Sequence, residues 1–387
     1  TLGDGAGYVC PSSADIDHAI DRELRSGDVA FNTLPLHLKD ITKMDFSAMD
    51  ALPTVSPGAD ANWTYVKRFV LDGHVYAAVV NALPLPLADL VDGDLEKMIA
   101  AGRVEEVLDE STILGGIICF TRAEHLGTFK ARRRGINWCK AINEACGRWT
   151  LTIDTHAPRH RIRRAVRPGT VAYCIDFSEY FACFGLDPSV RQYTNFRTKC
   201  GRIFRTTRLA MGQVQSSMVA GVATARIVDV PMPPSVQADC CTDNIRISGE
   251  PADALKVITE VIRRAKLANV TINEDTSDLS KLVATEYDFL GEHYDHDAGT
   301  MAVTEKILKK LVTVSDALLA RLDDGSADHL ILSVALGVLL FTSSTLRVCM
   351  FDHAPTMRFM RARAVALQKD ETLWRRPLPP MPDRKST

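Results

Sequence analysis

The sequence predicts an α+β fold in which an antiparallel sheet carries helices on one face. Residues 171–177, VAYCIDF, form a short and nearly all-apolar run, which is typical of a strand that is buried on both faces and emerges at its acidic end. Two further strand-like runs, 236–241 and 245–248, flank the turn formers TDN and indicate a hairpin. The order strand, helix, hairpin, helix, strand does not alternate as it does in doubly wound α/β proteins.

The helices of this fold are predicted from apolar spacing and from chain breakers. Residues 209–230 begin with a glycine-led turn and end before PMPP, because proline cannot continue a helix. In residues 251–267 the apolar side chains recur at helical spacing. The other predicted elements are, in chain order, a helix in DLEKMIAAGRVEEVLDES, an apolar strand at 113–120, a strand pair at 285–295 and a helical region from 304 to 367.

Bulk composition is that of an ordinary globular protein. The chain has 387 residues, 46% of them hydrophobic and 24% charged, with a net charge of -2, so it can bury a large core in two or three lobes. No CxxC pair occurs, so we expect free thiols and an intracellular location, cytoplasmic or nuclear. No signal peptide is visible at the N-terminus, and the apolar run at 330–341 is too short for a bilayer, so we expect a core helix and no membrane partner.

Positive charge is concentrated between Phe129 and Arg167. This span holds eleven Lys or Arg and only two acids, which is a local charge of +9 in a chain of net charge -2. Two tryptophans, Trp138 and Trp149, lie among these cations, as in surfaces that contact a nucleic-acid backbone. The alternative is a solvated basic face without a ligand.

Two carboxylates are expected to meet at one edge of the sheet. Asp176 ends the central strand and Asp243 lies at the tip of the hairpin. Two carboxylates at such a spacing repel each other unless a divalent cation neutralises them. This arrangement suits two-metal phosphoryl transfer. The alternative is that Asp243 and Asn244 only supply turn chemistry.

Several stretches resemble, in order, the motifs of reverse transcriptases. YCIDFSEYF resembles motif A, RLAMGQVQSSMVAG resembles motif B, and CCTDNIRISG stands where those enzymes carry a Tyr-x-Asp-Asp turn. KLANVTINED resembles the end of motif D, YDFLGEHYD resembles the primer grip, and AVTEKILKKL resembles the start of the thumb. The resemblance covers roughly residues 89 to 368 and is greatest to LTR-type and DIRS-like tyrosine-recombinase retrotransposon enzymes.

This resemblance implies a right-hand polymerase fold with fingers, an antiparallel-sheet palm and a helical thumb. The implied domains are an N-terminal extension at 1–88, fingers at 89–168 with 190–208, a palm at 169–296, a thumb at 297–368 and a Pro-rich tail at 369–387. No motif was found in the N-terminal extension.

The resemblance also implies an RNA-directed DNA polymerase. Its partners would be an RNA template, a DNA or RNA primer and dNTPs, and its cofactors two Mg²⁺ ions, with Mn²⁺ as a possible substitute. Asp176, Asp243 and the backbone carbonyl of Phe177 would bind the metal ions. Phe181 would be the steric gate that excludes a 2′-hydroxyl, the alternative being a core aromatic residue.

Further roles follow from the same resemblance. Gly212 would permit close approach of the template or nucleotide, and Gln213 would touch the same site. Arg133 and Lys140 would hold the triphosphate, and Lys281 would protonate the leaving pyrophosphate. The primer grip would consist of Phe289, Leu290 and Gly291.

Two positions depart from the family pattern. Cys241 replaces the usual Tyr of the hairpin, and Asn244 replaces the second Asp. An amide is neutral, so the site loses about one negative charge, although the amide oxygen can still ligate a cation or accept a hydrogen bond. We therefore expect Asn244 to retune a catalytic metal site. Two alternatives remain, a catalytically inactive or domesticated nucleic-acid binder of the same fold and a structural protein of a ribonucleoprotein particle.

Overall fold

The computed structural model describes residues 33–79, 85–125, 130–146, 166–346, 348 and 354–378. These residues form two compact units, one from the described residues 33–146 and 171–283, and the other from residues 166–170 and the described residues from 284 onward. Five cations of the basic span lie outside the described residues, namely Arg148, Arg159, Arg161, Arg163 and Arg164.

The first unit contains helices and strands in mixed order. In chain order they are α1 (Phe46–Ala51), α2 (Ala59–Leu71), α3 (Asp94–Ala100), β1 (Val104–Glu106), β2 (Ile118–Glu124), β3 (Arg132–Trp138), α4 (Lys140–Cys146), β4 (Val171–Asp176), α5 (Tyr180–Cys183), α6 (Pro188–Arg191), β5 (Asn195–Arg197), β6 (Ile203–Thr206), α7 (Ser216–Val228), β7 (Val236–Cys241), β8 (Asn244–Gly249), α8 (Pro251–Leu267) and β9 (Val283–Ala284), which ends at the boundary of the unit. Short 3-10 helices lie at Gly73–Tyr76, Glu110–Thr112 and Leu279–Lys281.

The central sheet has the strand order β7-β8-β4-β9. Strands β4 and β8 are antiparallel and so are β7 and β8, which confirms the predicted central strand and hairpin. Ile175, Ile245 and Ile247 are almost completely buried in this sheet. Of the apolar face predicted for α8, Ile258, Val261, Ile262 and Ala265 are buried and Leu255 is 42% exposed, and α8 packs against β4 and β8. Burial of these apolar side chains is the main force that holds the strands in register.

The glycine-led turn and helix predicted at 209–230 are confirmed: the Ser216 hydroxyl donates to the Ala210 carbonyl at 2.5 Å in the turn, and α7 begins at Ser216. Two other predicted element boundaries were wrong. The helix predicted in DLEKMIAAGRVEEVLDES ends at Ala100, and Val104–Glu106 of that stretch form β1. The strand predicted at 113–120 begins at Ile118 and continues to Glu124. Strand β2 extends to Glu124 because all of its residues pair with β3. Part of the basic span is therefore itself a strand, β3.

The segment before residue 80 is packed into the first unit although it carries no motif. Arg226 is 3% exposed, and its Nε donates to the Met49 carbonyl at 2.7 Å. Arg264 is 1% exposed, and one of its terminal nitrogens donates to the Pro53 carbonyl at 2.7 Å. A buried guanidinium needs such acceptors, so the chain after α1 is held in place by two charged side chains from α7 and α8.

The second unit pairs a small sheet with helices. Its elements are β10 (Glu286–Phe289), β11 (Glu292–Asp295), β12 (Thr300–Val303), α9 (Glu305–Asp323), α10 (His329–Leu346), α11 (Ala354–Lys369) and a 3-10 helix at Glu371–Arg375. The three strands are antiparallel, and α10 packs against α9 and β12. The predicted strand pair and helical region are confirmed in outline.

Helix α10 contains the apolar run noted in the sequence. Among the described residues it is the one helix whose length and mean hydropathy, 1.8, would suit a membrane span. The core helix of a soluble protein meets the same requirement, although only 39% of this segment is buried, Leu332, Ala335 and Leu336 among the buried residues.

Candidate active site

A cleft of about 430 Å³ in the first unit brings the predicted carboxylates together. Phe177 and Phe181 also line it. The other charged and polar side chains at its wall are Asp176, Asp243, Asn273, His37, Lys39, Arg103, Arg132, Arg134, Asn137, Glu179, Tyr180, Thr206 and Arg208. The cleft is thus strongly charged, with several cations around a small group of acids.

Sheet register places the two aspartates. Asp176 is the last residue of β4 and lies opposite Asn244, the first residue of β8. Beyond this pair, the backbone N of Phe177 donates to the Asp243 carbonyl at 3.0 Å. The hairpin tip is therefore hydrogen-bonded to the end of the central strand, and both carboxylates reach the same cleft.

The hairpin tip is held in an unusual backbone conformation. Thr242 has φ +58°, in the left-handed region that a β-branched residue rarely adopts. The Thr224 hydroxyl of α7 donates to the Thr242 carbonyl and lies 3.1 Å from the Tyr180 hydroxyl. Contacts from α7 and α5 thus stabilise the turn that presents Asp243, as is common at functional sites.

Both carboxylates have pKa values raised above the ordinary range in this site. Burial, followed by the nearby Asp243 carboxylate, raises the pKa of Asp176 to about 6, although a hydrogen bond from Asn273 opposes this effect. Burial also raises the pKa of Asp243 above its usual range, while its hydrogen bonds and Arg134 act in the opposite direction. Two adjacent acids in this state would be stabilised in their charged forms by a cation.

The donor atoms fit Mg²⁺. Asp176 and Asp243 offer carboxylate oxygens, the Phe177 carbonyl is the predicted further ligand, and Mg²⁺ typically binds through one or two carboxylates together with water and substrate phosphates. Within the described ranges, no cluster of three or more His, Cys, Asp or Glu side chains could hold a metal ion. The remaining ligands would therefore have to come from water and from the substrate.

Asn244 contacts the carboxylate that precedes it. Its Nδ2 donates to Asp243 Oδ1 at 3.0 Å. The amide therefore supplies a hydrogen-bond donor where a second carboxylate would have added negative charge. This contact orients Asp243 and helps to keep it ionised.

Arg133, which was predicted to hold the triphosphate, is buried away from the cleft. Arg133 is 2% exposed and forms a two-pronged ion pair with Asp94 of α3, with one distance of 2.9 Å. Side chains on a strand alternate between its faces, so Arg132 and Arg134 point the other way and line the cleft. Their Nε atoms lie 3.3 Å and 3.1 Å from the two carboxylate oxygens of Glu124.

Lys140 and Lys281 do not line the cleft. Lys140 Nζ lies 3.8 Å from Glu144 and 5.9 Å from the centre of the Trp138 ring. Lys281 is exposed, and its Nζ lies 3.4 Å from Asp278. Their roles remain predictions.

Gln213 and Gly212 have different neighbours from those predicted. Gln213 is 4% exposed, and its Nε2 donates to the Tyr76 hydroxyl at 2.6 Å, so its amide belongs to the core. A Cβ atom on Gly212 would lie 2.6 Å from the Asn137 carbonyl oxygen. Glycine is thus needed here for close packing against β3 of the same chain.

Phe181 contacts both the cleft and the core. It lines the cleft, and it also packs against the hydrophobic core of the first unit. The predicted primer-grip residues lie in the second unit. There Phe289 is 5% exposed, and the turn after it uses positive φ angles at Leu290 (52°) and Gly291 (85°).

Sequence reasoning missed several residues of the cleft. His37 and Lys39 come from the segment that carries no motif, and Arg103 and Arg208 come from separate strand connections. Glu179 has φ +46° and lies 2.9 Å from His37 and 3.6 Å from Arg103. His37, Lys39 and Arg103 lie in no motif, whereas Glu179 and Arg208 lie in the stretches that resemble motifs A and B, where no role was predicted for them. Tertiary packing brings these five residues together.

Replacement of Asp176 should stabilise the protein at neutral pH in the absence of divalent cations. The folded-state pKa of Asp176 is about 6 and its ordinary value is 3.8, so its contribution to stability is fully present below pH 3.8 and is lost as pH rises through 6. Asp176→Asn does not ionise, and we expect a free energy of unfolding about 1 kcal/mol higher than wild type at pH 8, after allowance for the half-exposed carboxylate. The gain should be smaller at pH 4.5.

Urea unfolding at the two pH values, with EDTA present, measures this difference. Asp92→Asn, at an exposed carboxylate outside the cleft, is the matched control. A wild-type protein that is more stable than Asp176→Asn at pH 8 would contradict the electrostatic description of the site.

Comparison with known proteins provides an independent view of the fold. No protein-family model matches the chain, and no curated protein matches its sequence. Among solved structures, a foamy viral protease-reverse transcriptase in complex with dsDNA is similar with a TM-score of 0.50 and 15% identity, over 86% of this chain and 73% of that chain.

Two related structures are less similar. The dRH form of the foamy viral protease-reverse transcriptase in complex with dsDNA has a TM-score of 0.48 and 14% identity, over 87% of this chain and 62% of that chain. The protein in complex with an RNA/DNA hybrid has a TM-score of 0.46 and 15% identity, over 86% and 47% of the two chains. The chain therefore spans only part of the length of these proteins. At this level of identity the similarity concerns the fold alone, and this chain has a reverse-transcriptase-like fold.

Proposed function

We propose that this chain is an RNA-directed DNA polymerase of a retrotransposon. The observation that carries the proposal is the meeting of Asp176 and Asp243 in one charged cleft of a reverse-transcriptase-like fold. The foamy viral proteins of similar fold are reverse transcriptases in complex with dsDNA or an RNA/DNA hybrid, which supports nucleic-acid partners. In this proposal the partners are an RNA template, a DNA or RNA primer and dNTPs.

The domain roles follow from this proposal. The hairpin β2–β3 and the strands β5 and β6 belong to the fingers, the central sheet to the palm, and α9 and α10 to the thumb. The free cysteines in the described ranges suit a reducing compartment, cytoplasmic or nuclear. The turn at Leu290 and Gly291, with Phe289, is proposed as the primer grip.

The mechanism assigns each cleft residue a task. Asp176, Asp243 and the Phe177 carbonyl would hold two Mg²⁺ ions. When bound, the ions would activate the primer 3′-hydroxyl and neutralise the leaving pyrophosphate. Arg132 and Arg134, which Glu124 holds side by side, bind the triphosphate as charged hydrogen-bond donors.

Primer extension with the wild-type protein tests the proposal. The substrates are a DNA primer on an RNA template and dNTPs, with Mg²⁺ or Mn²⁺ in separate reactions. We expect template-dependent extension in at least one metal. The alternative, an inactive nucleic-acid binder, is favoured by the amide of Asn244 in place of a carboxylate. Retained binding of the RNA–DNA hybrid without extension in either metal would support that alternative and reject the polymerase.

Truncation of Phe181 should relax the choice of sugar. The ring lines the cleft, and its removal opens space for a 2′-hydroxyl. For Phe181→Val we expect the dNTP-to-rNTP ratio of kcat/KM to fall by roughly 10- to 100-fold, the range of one lost apolar contact. Single-nucleotide incorporation with dCTP and CTP measures this ratio. An unchanged ratio in a folded variant would assign Phe181 to the core alone.

A further inference from the structure

Asn273 contacts Asp176 through both its side chain and its backbone. Its Nδ2 donates to Asp176 Oδ2 at 2.5 Å, and its backbone N donates to the Asp176 carbonyl at 2.9 Å. On the other side, the Glu274 carboxylate accepts a hydrogen bond from the Asp176 backbone N at 2.9 Å. The chain after α8 therefore fixes the end of β4 together with the carboxylate that β4 carries.

Lys39 determines which way the Asn273 amide points. Its Nζ donates to Asn273 Oδ1 at 2.8 Å and to the Ser178 hydroxyl at 3.0 Å. An ammonium group can only donate and a carboxylate can only accept, so the two neighbours require the same orientation of the amide. With Oδ1 on Lys39, Nδ2 must face Asp176.

We propose that Lys39 and Asn273 form a relay that positions the Asp176 carboxylate for a divalent cation. The hydrogen bond from Asn273 occupies Oδ2 and turns the carboxylate so that Oδ1 is presented to the ion. Both are positioning residues, which act on the ion only through Asp176. The relay rests on the proposed function, because it assumes the cation site that the polymerase requires.

The relay can be tested without polymerase activity by titrating the whole chain with Mn²⁺. The electron paramagnetic resonance signal of the free ion measures how much Mn²⁺ is bound. Removal of a side chain that orients a metal ligand typically weakens metal binding by about 10- to 100-fold. We expect Asn273→Ala to raise the Kd for Mn²⁺ by about tenfold or more. Asn62→Ala, in α2 and outside the cleft, should leave the Kd unchanged.

Lys39→Met tests the relay through the direction in which the affinity for Mn²⁺ changes. If Lys39 acted only through its positive charge, its removal would strengthen cation binding. The relay predicts weaker binding, by several-fold, and it predicts no further loss when Lys39→Met is added to Asn273→Ala. Lys43→Met makes the same chemical change in the same segment, outside the cleft, and serves as the control.

The outcomes separate this inference from the proposed function. Mn²⁺ binding that depends on Asp243 but occurs without primer extension would reject the polymerase and leave the relay to be decided by its variants. The relay is overturned if Asn273→Ala binds Mn²⁺ as wild type does or if Lys39→Met binds it more tightly. It is also overturned if the wild-type chain shows no Mn²⁺ binding that Asp243→Asn removes. Thermal unfolding of each variant establishes that it is folded.

Discussion

Asp243→Asn should abolish primer extension, with a loss of about 10³-fold or more in kcat. A metal clamp supplies several kcal/mol of transition-state stabilisation, and ~4 kcal/mol corresponds to about 10³ in rate. The substitution keeps the size of the side chain and its place at the hairpin tip, and it removes the charge that the cation requires. Steady-state extension of a DNA primer on an RNA template, in Mg²⁺ and in Mn²⁺, measures the loss.

Asn244→Asp is the informative companion to this variant. It restores a second carboxylate beside Asp243 and opposite Asp176, in place of the amide that now donates to Asp243. We expect extension to be preserved or raised, with a lower Mg²⁺ requirement, because a third negative charge strengthens cation binding. Hybrid binding by both variants should equal that of wild type. Full activity of Asp243→Asn would show that this cleft is not the polymerase site.

Arg133→Met should destabilise the fold by about 3–5 kcal/mol, because it leaves the fully buried Asp94 carboxylate without its charged partner. In a chain of this size a loss of that order lowers the melting temperature by roughly 10 °C. Arg134→Met makes the same chemical change one position along the strand. Since Arg134 pairs with Glu124 at the cleft wall, its loss should cost less than about 1 kcal/mol.

The two arginine variants should therefore affect different quantities, Arg133→Met the stability and Arg134→Met the KM for dNTP. Arg134→Met should raise the KM for dNTP by about tenfold, since a charged hydrogen bond to phosphate is worth ~1.5–3 kcal/mol. The double variant Arg133→Met with Asp94→Leu removes both buried charges and should recover most of the lost stability. Denaturant unfolding and incorporation kinetics measure the two effects. If Arg133→Met has wild-type stability and a raised KM for dNTP, Arg133 contacts the substrate and the ion-pair assignment is wrong.

The hairpin and the central strand show why part of the site could be predicted. In a β-hairpin the turn residues and the apolar runs are neighbours in sequence, so Asp243 is placed by local rules. Asp176 follows because a buried strand must emerge at its polar end. The pairing of Asp176 with Asn244 then brings the two predictions into one cleft.

The arginine run shows where prediction fails. Three consecutive cations in β3 have the same chemistry, and strand alternation puts them on two faces without stating which face is buried. Asp94, which selects Arg133, lies 39 positions away in sequence. From the local pattern alone, either Arg133 or the pair Arg132 and Arg134 could have faced the cleft.

By itself, the sequence determined the central strand, the hairpin, the principal helices and the two aspartates, because each depends on short-range apolar spacing or turn chemistry. Tertiary structure alone decided which of the charged and amide side chains join the two aspartates in the cleft. It buried Arg133 and Gln213, exposed Arg132 and Arg134 to the cleft, and joined Lys39 to Asn273 across 234 positions of chain. Such contacts depend on how whole elements pack, and a buried charge or amide takes the partner that packing supplies.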